Sequence, residues 1–255
     1  MLAARPIQVH WRPHRSLTVV YGASVAWGEG RASGENLVAR TGQGVPSGSD
    51  VAVWRLEDDP DLPGLATALN PARARRLLDA LDAPPGEVTS SLRAYRPGRR
   101  AVVELWGAGI RLFVKAIPPA ETSSLQARHR CMEGLLPVPR SHGWSEGLGL
   151  VVLQALPGQT LRAALDNIGV PLPAAWELAG LLDRLPAIED RRRVPDPLAL
   201  VPGHVRLLSR LVPDLAGRLA ALAESLAGDD CSDPDVPVHG DFYEGQLLVN
   251  EGRVT

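Results

Sequence analysis

Residues 17–25 (LTVVYGASV) and 51–56 (VAVWRL) are short runs dense in β-branched and aromatic side chains, which predicts two strands early in the chain. Between them, TGQGVPSGSD has the Gly/Ser composition of a loop. EDDPDLPG (57–64) is an acidic turn cluster, and its carboxylates suit a turn better than a metal site. Asn70-Pro71 starts a helix, with a capping side chain followed by proline at the first helical position, and ARARRLLDAL continues it. Pro84-Pro85-Gly86 closes this region. Three strand-like runs follow, at 91–95, 100–106 and 110–117, joined by the turns RPGR and GAG. Turns this short between consecutive strands predict an antiparallel meander. Pro118-Pro119 stops the third run, and 121–136 has helical spacing, with Leu125, Met132 and Leu136 toward one face. A strand pair at 140–144 and 148–153 comes next, giving the order three strands, helix, two strands. Helices are then predicted at 160–167, 173–188 and 204–227, with the basic RRRVPDP as a solvated loop. Strand character returns in LLV (247–249), before an Asn250-Glu251-Gly252 turn and a partner strand from Arg253.

The 255 residues are 45% hydrophobic with a formal charge of −2, which excludes a mainly disordered chain and a nucleic-acid binder acting through bulk positive charge. The longest apolar run, 148–156, is strand-sized and far from the ~18 residues of a membrane span. The N-terminus has arginines but no apolar segment of the kind a secretory signal carries. Cys131 and Cys231 lie far apart without CxxC spacing and are expected to be ordinary reduced thiols. A cytoplasmic protein is expected, with no membrane or nucleic-acid partner and an oligomeric state left open.

One basic residue stands apart. Lys115 is the single lysine beside 26 arginines. An ammonium is a compact point charge where a guanidinium is a broad plane, so a site that must hold a phosphate in a small space favours lysine. Its position near the end of a strand, after Phe113 and Val114, suits that task. Near the chain's end, His239-Gly240-Asp241 and then Gln246 form a loop running into the LLV strand. A fixed loop carboxylate can accept a proton from an attacking hydroxyl, and a side-chain oxygen one turn later can help hold a metal. Phosphoryl transfer needs mainly such positioning and charge neutralisation.

HGDFYEGQLLV resembles the catalytic loop of the aminoglycoside phosphotransferase family, small-molecule kinases with a protein-kinase-like fold, whose usual form is H-G-D-x-x-x-x-N-hydrophobic. IRLFVKA resembles that family's third N-lobe strand, and VVLQALPGQTL its last N-lobe strand and hinge; together the match covers residues 88–255. The N-terminal extension and Gln246 are also similar to the maltokinase-like branch. The resemblance implies an α+β, two-lobed fold: a β-rich extension with a helix over 1–88, an N-lobe with an antiparallel sheet over 89–156, and a mostly helical, incomplete C-lobe over 157–255. It implies ATP and Mg²⁺ as cofactors and a small-molecule hydroxyl acceptor, such as a sugar or an aminoglycoside, as partner. Asp241 would be the catalytic base and His239 its support. Lys115 would hold the α- and β-phosphates, the Gln154, Ala155 and Leu156 backbone would face adenine, and Gln246 would ligate the metal.

Four departures from the family pattern accompany this. The helix glutamate that pairs with the lysine is not evident, since Glu121 comes early and Glu133 late, with Gln126 and His129 between. RPGR is not a glycine-rich phosphate cradle, and Gln246 replaces asparagine. The family's second metal-binding aspartate would follow Thr255, so a C-terminally truncated kinase is expected, with Leu247–Val249 lacking a full strand partner. A non-catalytic nucleotide-binding pseudokinase or interaction module is the alternative. Phe242 and Tyr243 either stack on a sugar ring or pack beside the core strand.

Overall fold

The computed structural model describes residues 3–27, 31–81, 86–107, 109–187, 197–227 and 236–255. The Pro84-Pro85 boundary, most of RRRVPDP and Cys231 therefore lie outside the described residues.

The first sheet is an antiparallel meander, β1 (Ala3–Arg12), β2 (Ser16–Trp27), β3 (Arg31–Gly42) and β4 (Val51–Arg55), in that spatial order. β1 and β3 were not expected. β1 has the period-2 alternation of a strand, with Ile7, Val9 and Trp11 between Gln8, His10 and Arg12, but its arginines and Pro6 mask it. Pro6 is tolerated because β1 is an edge strand, and the register shifts between Pro6 and Gln8. Much of β3 is polar, and pairing with β2 along all twelve residues makes it a strand. Thr18, Val20 and Val38 point into the protein, while Val9, Trp11, Leu17, Val51 and Val53 are exposed.

Two short helices follow, α1 (Leu65–Leu69) and α2 (Pro71–Ala80). Asn70 caps α2 as expected, its side-chain oxygen accepting from the Arg73 N–H at 3.0 Å. The second sheet comprises β5 (Thr89–Arg96), β6 (Arg100–Gly107), β7 (Ile110–Ala116), β8 (Ser141–Ser145) and β9 (Leu150–Gln154). Its spatial order is β5-β6-β7-β9-β8, all antiparallel, with α3 (Pro119–Met132) connecting β7 to β8. The chain thus has the three strands, helix and two strands read from the sequence. Alternate residues of the central strands, among them Val103, Leu105, Leu112, Val114, Leu150 and Val152, are buried against Leu65, Leu77 and Leu78 of α1 and α2 and against Val20 and Val38 of the first sheet. One continuous core therefore joins both sheets, and each such side chain contributes about 1.5–3 kcal/mol of burial.

α3 departs from its expected face. Its buried residues are Thr122, Gln126 and His129, whereas Leu125 and Met132 are half-buried and Leu136 lies beyond the helix. This inner face is polar because it anchors the chain entering β8. The Ser141 hydroxyl donates to Gln126 at 3.1 Å, and a His129 ring nitrogen lies 2.6 Å from the Pro139 carbonyl. Leu136 instead packs on a second, smaller cluster: Leu161, Leu181, Leu247 and Val249.

That cluster belongs to the C-terminal part: β10 (Gln159–Thr160), α4 (Leu161–Leu165), α5 (Ala175–Asp183), α6 (Pro197–Leu211), α7 (Ala216–Leu226), β11 (Leu248–Asn250) and β12 (Arg253–Val254). The single helix expected at 204–227 is two. Pro213 lacks the N–H a continuous helix needs and forces Val212 out of the helical conformation (φ −136°, ψ 79°), which breaks the run. The strand at 247–249 does not lack a partner: β11 is the central strand of a three-stranded sheet, flanked by β10 and β12. No helix among the described residues is long and apolar enough to cross a membrane. The architecture is α+β, with the antiparallel N-terminal sheet anticipated above; the part expected to be mostly helical also holds the three-stranded sheet β10-β11-β12.

Candidate functional site

The loop from His239 to Gln246 is assembled by its own polar groups. Gly240 takes φ +78°, a left-handed turn conformation available at little cost to glycine. The Asp241 N–H then donates to His239 Nδ1 at 3.3 Å. The Gln246 amide Nε2 donates to Asp241 Oδ2 at 3.4 Å, and the Gln246 N–H to the Tyr243 carbonyl at 2.9 Å. His239 meets Phe242 edge to face, centroids 5.6 Å apart. The loop is fastened to the hinge-side chain because β10 leads directly into α4. The Leu161 N–H donates to the Leu247 carbonyl at 2.9 Å, the Arg162 N–H to the Glu244 carbonyl at 3.2 Å, and the Arg162 and Glu244 side chains form an ion pair at 2.5 Å. His239, Asp241 and Gln246 are thus brought together on an exposed loop, with Phe242 and Tyr243 exposed beside them.

Lys115 sits on β7, where Leu112, Val114 and Ala116 face the core, so alternation turns Arg111, Phe113 and Lys115 to the opposite side of the sheet. It lies directly across from Val102 on β6 and Val151 on β9. Burial lowers its pKa, and the nearby Arg100 adds to this. No carboxylate among the described residues pairs with it. Glu121 is exposed, and Glu133 accepts from the Ser141 N–H at 2.9 Å and lies 3.5 Å from His129. Neither glutamate is the lysine's partner, in keeping with the unassigned position in the sequence.

Beside Lys115 on the same sheet face lies a residue that sequence reasoning missed. Glu104, directly opposite Phe113, is 3% exposed and accepts from Arg111 Nε and from Arg93 Nε, both at 2.5 Å. These guanidinium groups, Arg111 first, hold its carboxyl below the usual range despite burial. The available signal was a lone carboxylate inside the apolar strand RAVVELW.

At the hinge, the Gln154 N–H donates to the Arg140 carbonyl at 2.9 Å and the Ala155 N–H to the Arg111 carbonyl at 3.1 Å. Those two donors are committed to the sheet. The Leu156 N–H has no backbone partner among the described residues, which leaves it as the free hinge donor. The RPGR turn is likewise committed. Gly98 (φ +64°) donates its N–H to Asp59 at 2.8 Å, and the same carboxylate oxygen accepts from Tyr95 Oη at 2.7 Å. The acidic turn of the extension therefore pins the β5–β6 turn, a structural role the composition of EDDPDLPG did not reveal. No hydrogen bond or ion pair among the described residues connects Lys115 to the 239–246 loop.

No protein-family model and no curated relative matches the sequence. Among solved structures, the chain is similar to the streptomycin–ATP–APH(2″)-IIa ternary complex at 14% identity and a TM-score of 0.49, over 73% of this chain and 69% of that one. It is also similar to the aminoglycoside phosphotransferase APH(4)-Ia at 16% identity and a TM-score of 0.41, over 71% and 68%.

Proposed function

We propose that this chain is an ATP-dependent phosphotransferase that passes the γ-phosphoryl group to a hydroxyl of a small molecule. The observation that carries this is Lys115. A cation on a largely covered sheet face, with no carboxylate paired to it among the described residues because neighbouring Glu104 is engaged by Arg93 and Arg111, is costly unless a ligand supplies the negative charge. Nucleotide phosphates are the ligand the sequence pattern calls for. The free Leu156 N–H at the hinge suits a heteroaromatic base, and the 239–246 loop supplies the acid–base group.

In this reading Asp241 accepts the acceptor hydroxyl's proton as the oxygen attacks the γ-phosphorus, and the bond from phosphorus to the β,γ-bridging oxygen breaks. His239 and Gln246 position the Asp241 loop through their hydrogen bonds. The Gln246 amide oxygen would hold Mg²⁺, which takes few protein oxygens and completes its shell with phosphates and water. Mg²⁺, when bound, would neutralise charge on the phosphates. Calorimetric titration of ATP tests the reading. Lys115→Arg keeps the charge but replaces an ammonium by a bulkier plane, and weaker binding is expected. Equal affinities would return Lys115 to a surface role. Mg²⁺-dependent ATP consumption across a panel of hydroxyl acceptors then identifies the substrate.

A further inference from the structure

A cavity of about 530 Å³ lies between the first sheet and the β5–β6 turn, on the side of the N-terminal extension. Its floor is built by cross-strand pairing: His10 on β1 opposes Thr18 on β2, which opposes Arg40 on β3. Arg40 is fixed there, its guanidinium 4.9 Å above the Trp54 ring and 3.0 Å from the Asp61 carboxylate. Arg12 enters from β1, and Arg96 and Arg99 from the turn that Asp59 pins. These three arginines form no ion pair among the described residues, so with Arg40 paired to Asp61 and the covered Asp59 carboxylate beneath the turn, the cavity lining keeps a net positive charge. The field is felt within it: burial, then Arg96, Arg12 and Arg99, lower the His10 pKa. Such a concentration is notable in a chain of net charge −2.

We infer that this cavity is a binding site for a phosphorylated small molecule. Guanidinium groups arriving from two strands and a turn match the several oxygens of a phosphate dianion, whereas a carboxylate would occupy one of them. The volume falls within the roughly 300–1,000 Å³ of small-molecule sites, so a polar body beyond one phosphoryl group fits. The site is separate from the proposed ATP site: Lys115 faces the other side of the second sheet, away from the core that the two sheets share. The inference therefore stands whether or not the chain is a kinase.

The test is calorimetric titration without ATP, using glucose 6-phosphate, inorganic phosphate and glucose as probes. Glucose 6-phosphate should bind, inorganic phosphate more weakly, and glucose not at all, with affinity falling as salt rises. Arg12→Gln and Arg99→Gln, both exposed positions whose replacement leaves the core intact, should each weaken binding by about tenfold. Lys115→Met should leave it unchanged. Equal affinity in the arginine variants, equal binding of glucose, or no phosphate binding by the unaltered protein would each overturn the inference. Loss of binding in Lys115→Met with retention in the arginine variants would do the same, by moving the phosphate to the other face.

Discussion

The two ends of this molecule are held together very differently. In the N-terminal part, two antiparallel sheets and α1 and α2 share one core in which Leu62, Leu65, Leu78, Val38 and Leu105 are fully covered. In the C-terminal part, the buried cluster consists of Leu161, Leu181, Leu247 and Val249, and α7 buries none of its residues. Yet the C-terminal part carries the 239–246 loop, proposed to act in proton transfer, while the N-terminal part carries Lys115 and the proposed hinge at 154–156. Stability and the proposed chemistry are therefore unequally divided: the scaffold that resists unfolding positions the groups proposed to bind phosphate, and the loop proposed to take the proton rests on a small cluster and a few hydrogen bonds. Loops on the less stable side of a rigid framework are where groups that must adjust to a substrate are affordable.

The largest expected effect falls on the chemistry of the weaker part. Asp241→Asn should lower phosphotransfer by about 100- to 10,000-fold while leaving ATP affinity nearly intact, measured as kcat and as calorimetric affinity once an acceptor is in hand. A variant that keeps most of its turnover removes Asp241 from the mechanism. Next comes the scaffold itself. Leu78→Ala should cost about 2–5 kcal/mol in denaturant unfolding and release amide protection throughout both sheets. Leu161→Ala, in the small cluster, should release protection only in β10–β12 and the 239–246 loop. If both variants unfold the same set of amides, the division drawn here is wrong.

A third variant separates binding from stability at one residue. A half-buried ammonium whose pKa is lowered has its charged form disfavoured in the folded state, a cost present below the unfolded pKa near 10.5. Lys115→Met should therefore raise the thermal midpoint at neutral pH while weakening ATP binding by about 10- to 100-fold, the worth of a charge-assisted contact. A fall in the midpoint would show that the lysine has an internal partner. The smallest effect concerns Glu104. Its folded pKa is lowered, so it contributes stability above the ordinary value of 4.5 that is lost as pH falls through the folded pKa. Glu104→Gln should be less stable at pH 7 and show a shallower loss of stability on acidification below 4.5, read as midpoint against pH. An unchanged acid slope would mean that the Arg93 and Arg111 contacts do not distinguish the folded from the unfolded carboxylate.

Much of the central sheet was legible because its signals are local. Runs such as RAVVELW and IRLFVKA, with turns of two to four residues between them, specify antiparallel neighbours without outside help. The Asn70 cap and the break at Pro118-Pro119 are local in the same sense. β1 and β3 were not legible, because half of each strand is polar and only pairing with β2 keeps them extended. α3 misled for a related reason: its inner face meets the polar chain entering β8, so Gln126 and His129, not the leucines, are the covered residues.

At the candidate site the sequence by itself determined the types of residue and their order: one lysine late in a strand, a hinge, then an HGD loop with an amide five residues after the aspartate. Short-range geometry followed from that spacing, since the Gly240 turn and the Gln246–Asp241 bond need only neighbouring residues. The tertiary structure alone decided which groups are free. The Leu156 N–H is available because β7 and the Arg140 carbonyl engage Ala155 and Gln154. Lys115 is left without a paired acid because Glu133 is engaged by Ser141 and neighbouring Glu104 by two arginines. Arg12, Arg96 and Arg99 share a cavity because an acidic turn distant in sequence ties the β5–β6 turn to the first sheet, Asp59 holding Gly98 and Asp61 pairing with Arg40. Hydrogen-bond and charge satisfaction is a property of what lies across the fold, and sequence spacing does not encode those neighbours.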